Sequence, residues 1–147
     1  MNVFDKENII LKASPVNKTE AIKMVGQILL DNGYIRPEYV DDMMEREKIM
    51  TTYIGNNVAI PHGLSNSAEN ILHSGLSFLQ VPDGVDFGTP EESLIAYIVI
   101  GIAGKNGDHL NMLANLAMVL TDMDKIEKMR SLQDKNEIIK MLEEVVE

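Results

Sequence analysis

The chain has no cysteine among its 147 residues, which rules out disulfide bonds, thiolate nucleophiles and cysteine-ligated zinc. It is also short of basic residues, with 13 Lys and Arg against 23 Asp and Glu and a formal net charge of -10. Such a surface repels nucleic acid and anionic membrane unless a local basic patch overrides it, and no such patch is visible. No apolar run is long enough to cross a bilayer as a helix, since the longest, around 94–103, is interrupted by Gly101. The opening Met1-Asn2-Val3-Phe4-Asp5-Lys6-Glu7 lacks a basic region followed by an apolar stretch, so no secretory signal is apparent and cytoplasmic residence is the simplest reading. No GxxxxGK[ST], GxGxxG or HExxH pattern and no nucleophile elbow occurs, so nucleotide binding, a helical zinc site and an esterase-type serine have no support. Internal repeats, low-complexity segments and linkers are absent as well.

What is present is a 45% hydrophobic chain of one-domain size, read as a single domain over 1–147. Ten methionines read chiefly as flexible core filling. Residues 18–32 place Ala21, Ile22, Val25, Ile28 and Leu29 at helical spacing and end at Asn32-Gly33, a stop signal. Pro37 opens a second helix to about residue 50, with Glu38 at its positive end. Residues 51–57 read as a loop leading to a short buried strand at Val58-Ala59-Ile60. A short helix is expected at 66–72, a strand at 75–81 and a turn at Pro82-Asp83-Gly84. The continuous apolarity of 94–100 argues for a central strand covered on both faces. Leu110, Leu113, Leu116, Ala117 and Leu120 mark a helix after the loop 104–108. Helices at 125–131 and 136–146 follow, the last with Ile138, Ile139, Leu142 and Val145 inward. Interleaved strands and helices give the expected architecture: an α/β three-layer sandwich, a mixed sheet of about five strands with helices on both faces.

Chemistry concentrates on few side chains, because only three histidines exist. His62 ends the run Asn56-Asn57-Val58-Ala59-Ile60-Pro61-His62-Gly63. Pro61 pushes Ile60 toward extended backbone and withholds a ladder donor, so the strand stops there. Gly63 either admits close approach or takes a positive φ, and the amides after it have no obvious ladder partner. On local context His62 is either a satisfied, partly buried histidine or one that carries a group. His73, before Ser74-Gly75, reads as a surface histidine. His109 opens the Leu110 helix, where the dipole end favours an anion and disfavours imidazolium, so it should be a neutral donor. At about 100° per residue, Tyr39, Val40 and Met43 set the apolar arc of the second helix, and Arg46 lies roughly 60° from Met43 on the Tyr39 side. It leans toward the core, or else its stem covers apolar surface while its head reaches water. Glu47 shares that arc and reads as a local partner. A zinc site would need His62, His73 and His109 together and finds no supporting spacing. A covalent histidine is the most economical reading, with a phosphoryl group held by Arg46, His109 and backbone amides. A hydrolase using His62 as nucleophile or base is a further alternative.

These residues sit in a wider pattern: Gly33-Tyr34-Ile35 with Pro37-Glu38-Tyr39-Val40, Met44-Glu45-Arg46-Glu47-Lys48, Tyr53-Ile54-Gly55, Ala59-Ile60-Pro61-His62-Gly63, Val85-Asp86-Phe87-Gly88, and Val99-Ile100-Gly101-Ile102-Ala103 followed by His109-Leu110. Over nearly its whole length the chain thus resembles the enzyme IIA component of the phosphoenolpyruvate-dependent sugar phosphotransferase system, mannitol/fructose branch, closest to the mannitol-specific type. The resemblance implies His62 as phosphoacceptor (tele-phosphohistidine), Arg46 beside the phosphoryl group and His109 as the second active-site histidine, with no cofactor and no metal. It implies phosphoryl flow from enzyme I to the phosphocarrier protein HPr, to His62, and then to the IIB component of a separate permease, a cysteine in mannitol-type systems. No direct membrane insertion is expected. Docking should use an apolar surface of Ile60, Leu64 and exposed methionines. A phosphorylation-switched regulatory module of the same type is the alternative.

Overall fold

The computed structural model describes residues 2–146, with side-chain packing described through residue 143. In chain order the main elements are β1 (Ile9–Ile10), α1 (Lys18–Asp31), α2 (Pro37–Ile49), β2 (Tyr53–Gly55), β3 (Val58–Ala59), β4 (Gly75–Asp86), β5 (Ile95–Ala103), α3 (Asp108–Val119), α4 (Met123–Ser131) and α5 (Lys135–Val146). The five strands form one mixed sheet in the order β1-β4-β5-β3-β2. β4 and β5 pair antiparallel, while β1 joins β4 and β3 joins β5 in parallel. The expected α/β architecture with helices on both faces is the one observed.

The apolar pattern of β5 explains the layering. Ile98, Ile100 and Ile102 project into a core shared with Met112 and Leu116 of α3, Ile126 and Met129 of α4, and Ile138 and Leu142 of α5. Val99 and Ala103 project the opposite way, toward Ala21, Ile22, Val25 and Leu29 of α1 and Tyr39 and Met43 of α2. A strand buried on both faces has no solvent side, hence its unbroken apolar run. Local signals fix the helices around it. Asn17 caps α1 by accepting from the Glu20 N–H at 2.9 Å, and Pro37 occupies the first turn of α2, where no donor is missed.

Several expectations need correction. The segment 51–57 is not all loop: β2 pairs antiparallel with β3 across Asn56 and Asn57, both at positive φ (54° and 65°), a tight hairpin geometry that asparagine tolerates. Pro82-Asp83-Gly84 does not reverse the chain. β4 runs through it to Asp86 with a register shift between Gln80 and Val85, Gly84 taking a φ of 84°. The turn residues therefore make a bulge, which the Pro82 carbonyl stabilises by accepting from Arg130 Nε at 2.9 Å. The helix expected at 66–72 is a single 3-10 turn, Ala68–Asn70. Of the stripe expected at 110–120, Leu116 and Leu120 are buried and Leu113 is half-buried, whereas Leu110 is 73% exposed and Ala117 faces out, and Met112 and Val119 complete the buried face instead. Ile138 and Leu142 of α5 do point inward; Val145 lies outside the described side chains.

Gln80 ties the bulged strand to the helical layer. Fully buried, it accepts the Lys12 N–H at 3.0 Å and donates to the Met129 and Leu132 carbonyls at 2.8 and 2.7 Å. Gln80→Leu should destabilise the protein by about 2 kcal/mol, because it strands these groups without partners. A urea midpoint equal to wild type would contradict that.

Candidate functional site

β3 ends at Ala59, yet the alignment it establishes continues past Pro61. The Ile102 N–H donates to the Pro61 carbonyl at 2.9 Å, and His62 forms an isolated parallel bridge with Ile102. His62 is thereby carried along the flank of β5 to the sheet edge, where it is 9% exposed. Its Nδ1 lies 2.7 Å from the Ile60 carbonyl. A carbonyl oxygen only accepts, so Nδ1 carries the proton and Nε2 keeps a free lone pair.

Tyr39 of α2 fixes the turn that follows. Its hydroxyl donates to the Ile102 carbonyl at 2.7 Å and accepts the Gly63 N–H at 2.9 Å. A Cβ on Gly63 would meet the Tyr39 ring at 2.5 Å, so glycine is required here for close approach; of the two possibilities raised above, a positive φ is not the one used. The expectation of free amides after His62 is wrong in this respect, because the Leu64 N–H also has a partner, Ser67 Oγ at 2.9 Å. Sequence reading assigned Tyr39 only to the apolar arc. Its hydroxyl gave no local signal, since both partners are distant in sequence.

The three residues singled out from sequence line one cavity of about 410 Å³, together with Tyr39, Gly63 and Leu110. His109 stands in the first turn of α3, its ring centroid 5.2 Å from that of His62 with the planes at 56°. Gly104 lets α3 come this near, since a Cβ there would collide with the His109 backbone. No side chain caps α3 at Gly107; the Asp108 N–H donates to the Lys105 carbonyl at 3.1 Å, and the positive end of the helix lies at His109. Arg46 is half-buried, and its Nη1 donates to the Met50 carbonyl at 2.5 Å, at the C-terminal end of its own helix. His73 is exposed and borders a different hollow of about 370 Å³ with Ser74 and Lys105. The two cavities are similar in size; chemistry, not volume, separates them. Ile60 is only 7% exposed and packs into the core beneath α3, so it cannot serve the docking role expected of it. Leu64 and the exposed Leu110 border the cavity instead.

The field in the cavity keeps both imidazoles neutral. Burial is the largest influence holding His62 below the ordinary histidine value, aided by His109 and Arg46 and opposed by the Ile60 carbonyl and Glu47. Burial and then Arg46 lower His109 in the same way. Tyr39 is pushed up to about 12, chiefly by burial, and remains a phenol. A neutral imidazole with a bare Nε2, a second neutral imidazole, a guanidinium and a helix start form a nucleophile facing an anion-accepting wall. Both histidines should titrate with midpoints below 6.5 by NMR; a midpoint above that value for His62 would contradict the burial argument. Tyr39→Phe should cost about 1 to 3 kcal/mol, because the Gly63 N–H and the Ile102 carbonyl lose their shared partner. An unchanged unfolding midpoint would refute this.

Residues 2–145 match the family model described as "Phosphoenolpyruvate-dependent sugar phosphotransferase system, EIIA 2". The chain is 46% identical over 145 residues to the mannitol-specific phosphotransferase enzyme IIA component of Geobacillus stearothermophilus, covering 99% of this chain and 98% of the relative. It superposes with a TM-score of 0.87 on the crystal structure of IIA mannitol from Escherichia coli, at 38% identity over 95% of this chain and 98% of that one. The match to IIA in a complex of enzyme IIA and phosphorylated enzyme IIB of the mannitol system of Escherichia coli gives a TM-score of 0.89, at 36% identity over 97% and 99% of the two chains. The chain belongs to the EIIA 2 family of the phosphoenolpyruvate-dependent sugar phosphotransferase system.

Proposed function

We propose that the chain is a phosphoryl carrier acting as one domain, which accepts a phosphoryl group from phosphorylated HPr on His62 Nε2 and passes it to a IIB component during mannitol uptake. The observation that carries this reading is the 2.7 Å bond from His62 Nδ1–H to the Ile60 carbonyl, which leaves Nε2 as the one nucleophilic ring nitrogen beside Arg46 and His109. The relatives' mannitol-specific names and the solved IIA–IIB complex support the acceptor and the sugar. Among the described residues no helix is long and apolar enough to cross a membrane. The relatives' phosphotransferase names and the IIA–IIB complex support a carrier that works at the cytoplasmic side and hands the group to a permease's IIB component.

The step balances without any further reactant. The Nε2 lone pair of His62 attacks phosphorus in line, a P–N bond forms, and the P–N bond to the donor's histidine breaks with its electron pair returning to that imidazole. His62 keeps its Nδ1 proton, so the phosphorylated ring is cationic, and the Ile60 carbonyl stabilises that charge. Arg46 and the His109 imidazole face the equatorial oxygens, where charge concentrates as the bonds exchange. The cationic ring is then a good leaving group for attack by the IIB nucleophile.

Incubation with enzyme I, HPr and phosphoenolpyruvate, followed by mass mapping, should place the label on His62 alone; label on another residue would overturn the assignment. His62→Ala should abolish labelling. Arg46→Ala should slow transfer by about 10² to 10³, the loss typical of one positioned donor, with unfolding unchanged. Because the His62 value is depressed, the reactive neutral form persists as pH falls through 6.5. Single-turnover transfer should therefore decline only below that pH, and a decline centred above it would argue against His62 as the nucleophile.

A further inference from the structure

Glu47 is the least economical residue in the fold. Its side chain is 4% exposed, and it lies near the C-terminal end of α2, where the helix dipole disfavours negative charge. Oε1 accepts twice from Thr52, at 2.9 Å from its N–H and 2.6 Å from its hydroxyl. Oε2 has no hydrogen-bond partner among the described residues, and the nearest cation, Lys18 Nζ, stands 3.9 Å away. Packing alone does not account for a carboxylate placed at such cost, and a buried polar group of this kind calls for another reason.

The reason lies in what Thr52 does next. Thr52 is itself buried, and its carbonyl accepts the Ile60 N–H at 3.0 Å. The Ile60 carbonyl then accepts from His62 Nδ1 at 2.7 Å. Hydrogen bonds joined through the covalent backbone of Thr52 and Ile60 thus tie the carboxylate to the strand end that receives the imidazole. On the helix side, Glu47 adjoins Arg46, whose guanidinium is held by the Met50 carbonyl two residues before Thr52. One carboxylate therefore anchors the segment that sets both the arginine and the histidine. Hydrogen bonds to a charged acceptor are the stronger kind, so the Thr52 end of this linkage is held firmly.

We propose that Glu47 and Thr52 are positioning residues for the transfer: Glu47, through Thr52 and the Ile60 backbone, holds the His62 ring with the proton on Nδ1 and Nε2 toward the cavity. The proposal rests on His62 being the phosphoacceptor. The negative charge of Glu47 also raises the proton affinity of His62 against burial, His109 and Arg46, an influence that favours the cationic phosphorylated ring.

Two measurements on Thr52→Val, Thr52→Ser and Glu47→Ala test it. The first is the ¹⁵N NMR tautomer of His62 in the unphosphorylated protein, which involves no donor. The second is single-turnover transfer from phosphorylated HPr over a range of HPr concentrations. Thr52→Val and Glu47→Ala should shift His62 from the Nδ1–H form toward a mixture and lower the saturating rate at least tenfold, with half-saturation by HPr unchanged. Thr52→Ser keeps the hydroxyl and should restore both properties to within threefold of wild type. A wild-type tautomer and rate in Thr52→Val would overturn the proposal, as would failure of serine to rescue. If Glu47→Ala does not fold, the two threonine variants decide the matter alone. Label mapping to a residue other than His62 in the wild type would instead remove the phosphoacceptor assignment, while the tautomer measurement would still stand or fall by itself.

Discussion

Two hydrogen bonds at Ile102 hold the site together. Its N–H reaches the Pro61 carbonyl, and its own carbonyl receives the Tyr39 hydroxyl. Proline at 61 removes a donor from the β3 side but not an acceptor, so the strand loses its ladder while the chain stays aligned with β5 for two residues more. His62 can then be rigid without being buried in the sheet. Tyr39 brings α2, and with it Arg46, against the same carbonyl. His62, the arginine-bearing helix and the central strand therefore share one reference point, itself fully buried beneath both layers.

That arrangement explains what could be read from the sequence and what could not. The strand end at Pro61-His62 and the helix start at His109 depend on local chemistry, namely a missing donor and a positive dipole end, so they were visible directly. Arg46 was visible through helical phase. The Tyr39 and Thr52 contacts were not, because their partners Gly63, Ile102 and Ile60 come from other elements, and Glu47 was read only as a local partner without its bond to Thr52. The β2–β3 hairpin was missed despite its Asn56-Asn57 signal, since its first strand has three residues and Ile54 at its centre is exposed. The α3 stripe was right at Leu113, Leu116 and Leu120 but wrong at Leu110 and Ala117, because apolar residues flank it on both sides and contact with α5 and β5 turned Met112 and Val119 inward instead.

The apolar excess of α3 is itself informative. Leu110 and Met118 stand 73% and 77% exposed on a helix whose first turn borders the cavity. A pocket lined by Arg46 and two imidazoles thus has an apolar margin in Leu64 and Leu110. The second imidazole, the guanidinium and the helix start then act over short distances where water is scarce, and there each is worth most.

The proton kept on His62 Nδ1 by the Ile60 carbonyl has a consequence for how partners tell one state from another. With His62 as the proposed acceptor, a phosphoryl group would bring a charge of about -2 while the ring bearing it gained +1, so the loaded protein would differ from the empty one by only about one unit on a background of -10. Long-range attraction is then nearly the same in both states. A donor and an acceptor of the group would approach this surface at similar rates, and discrimination between full and empty carrier falls to contacts inside the cavity mouth.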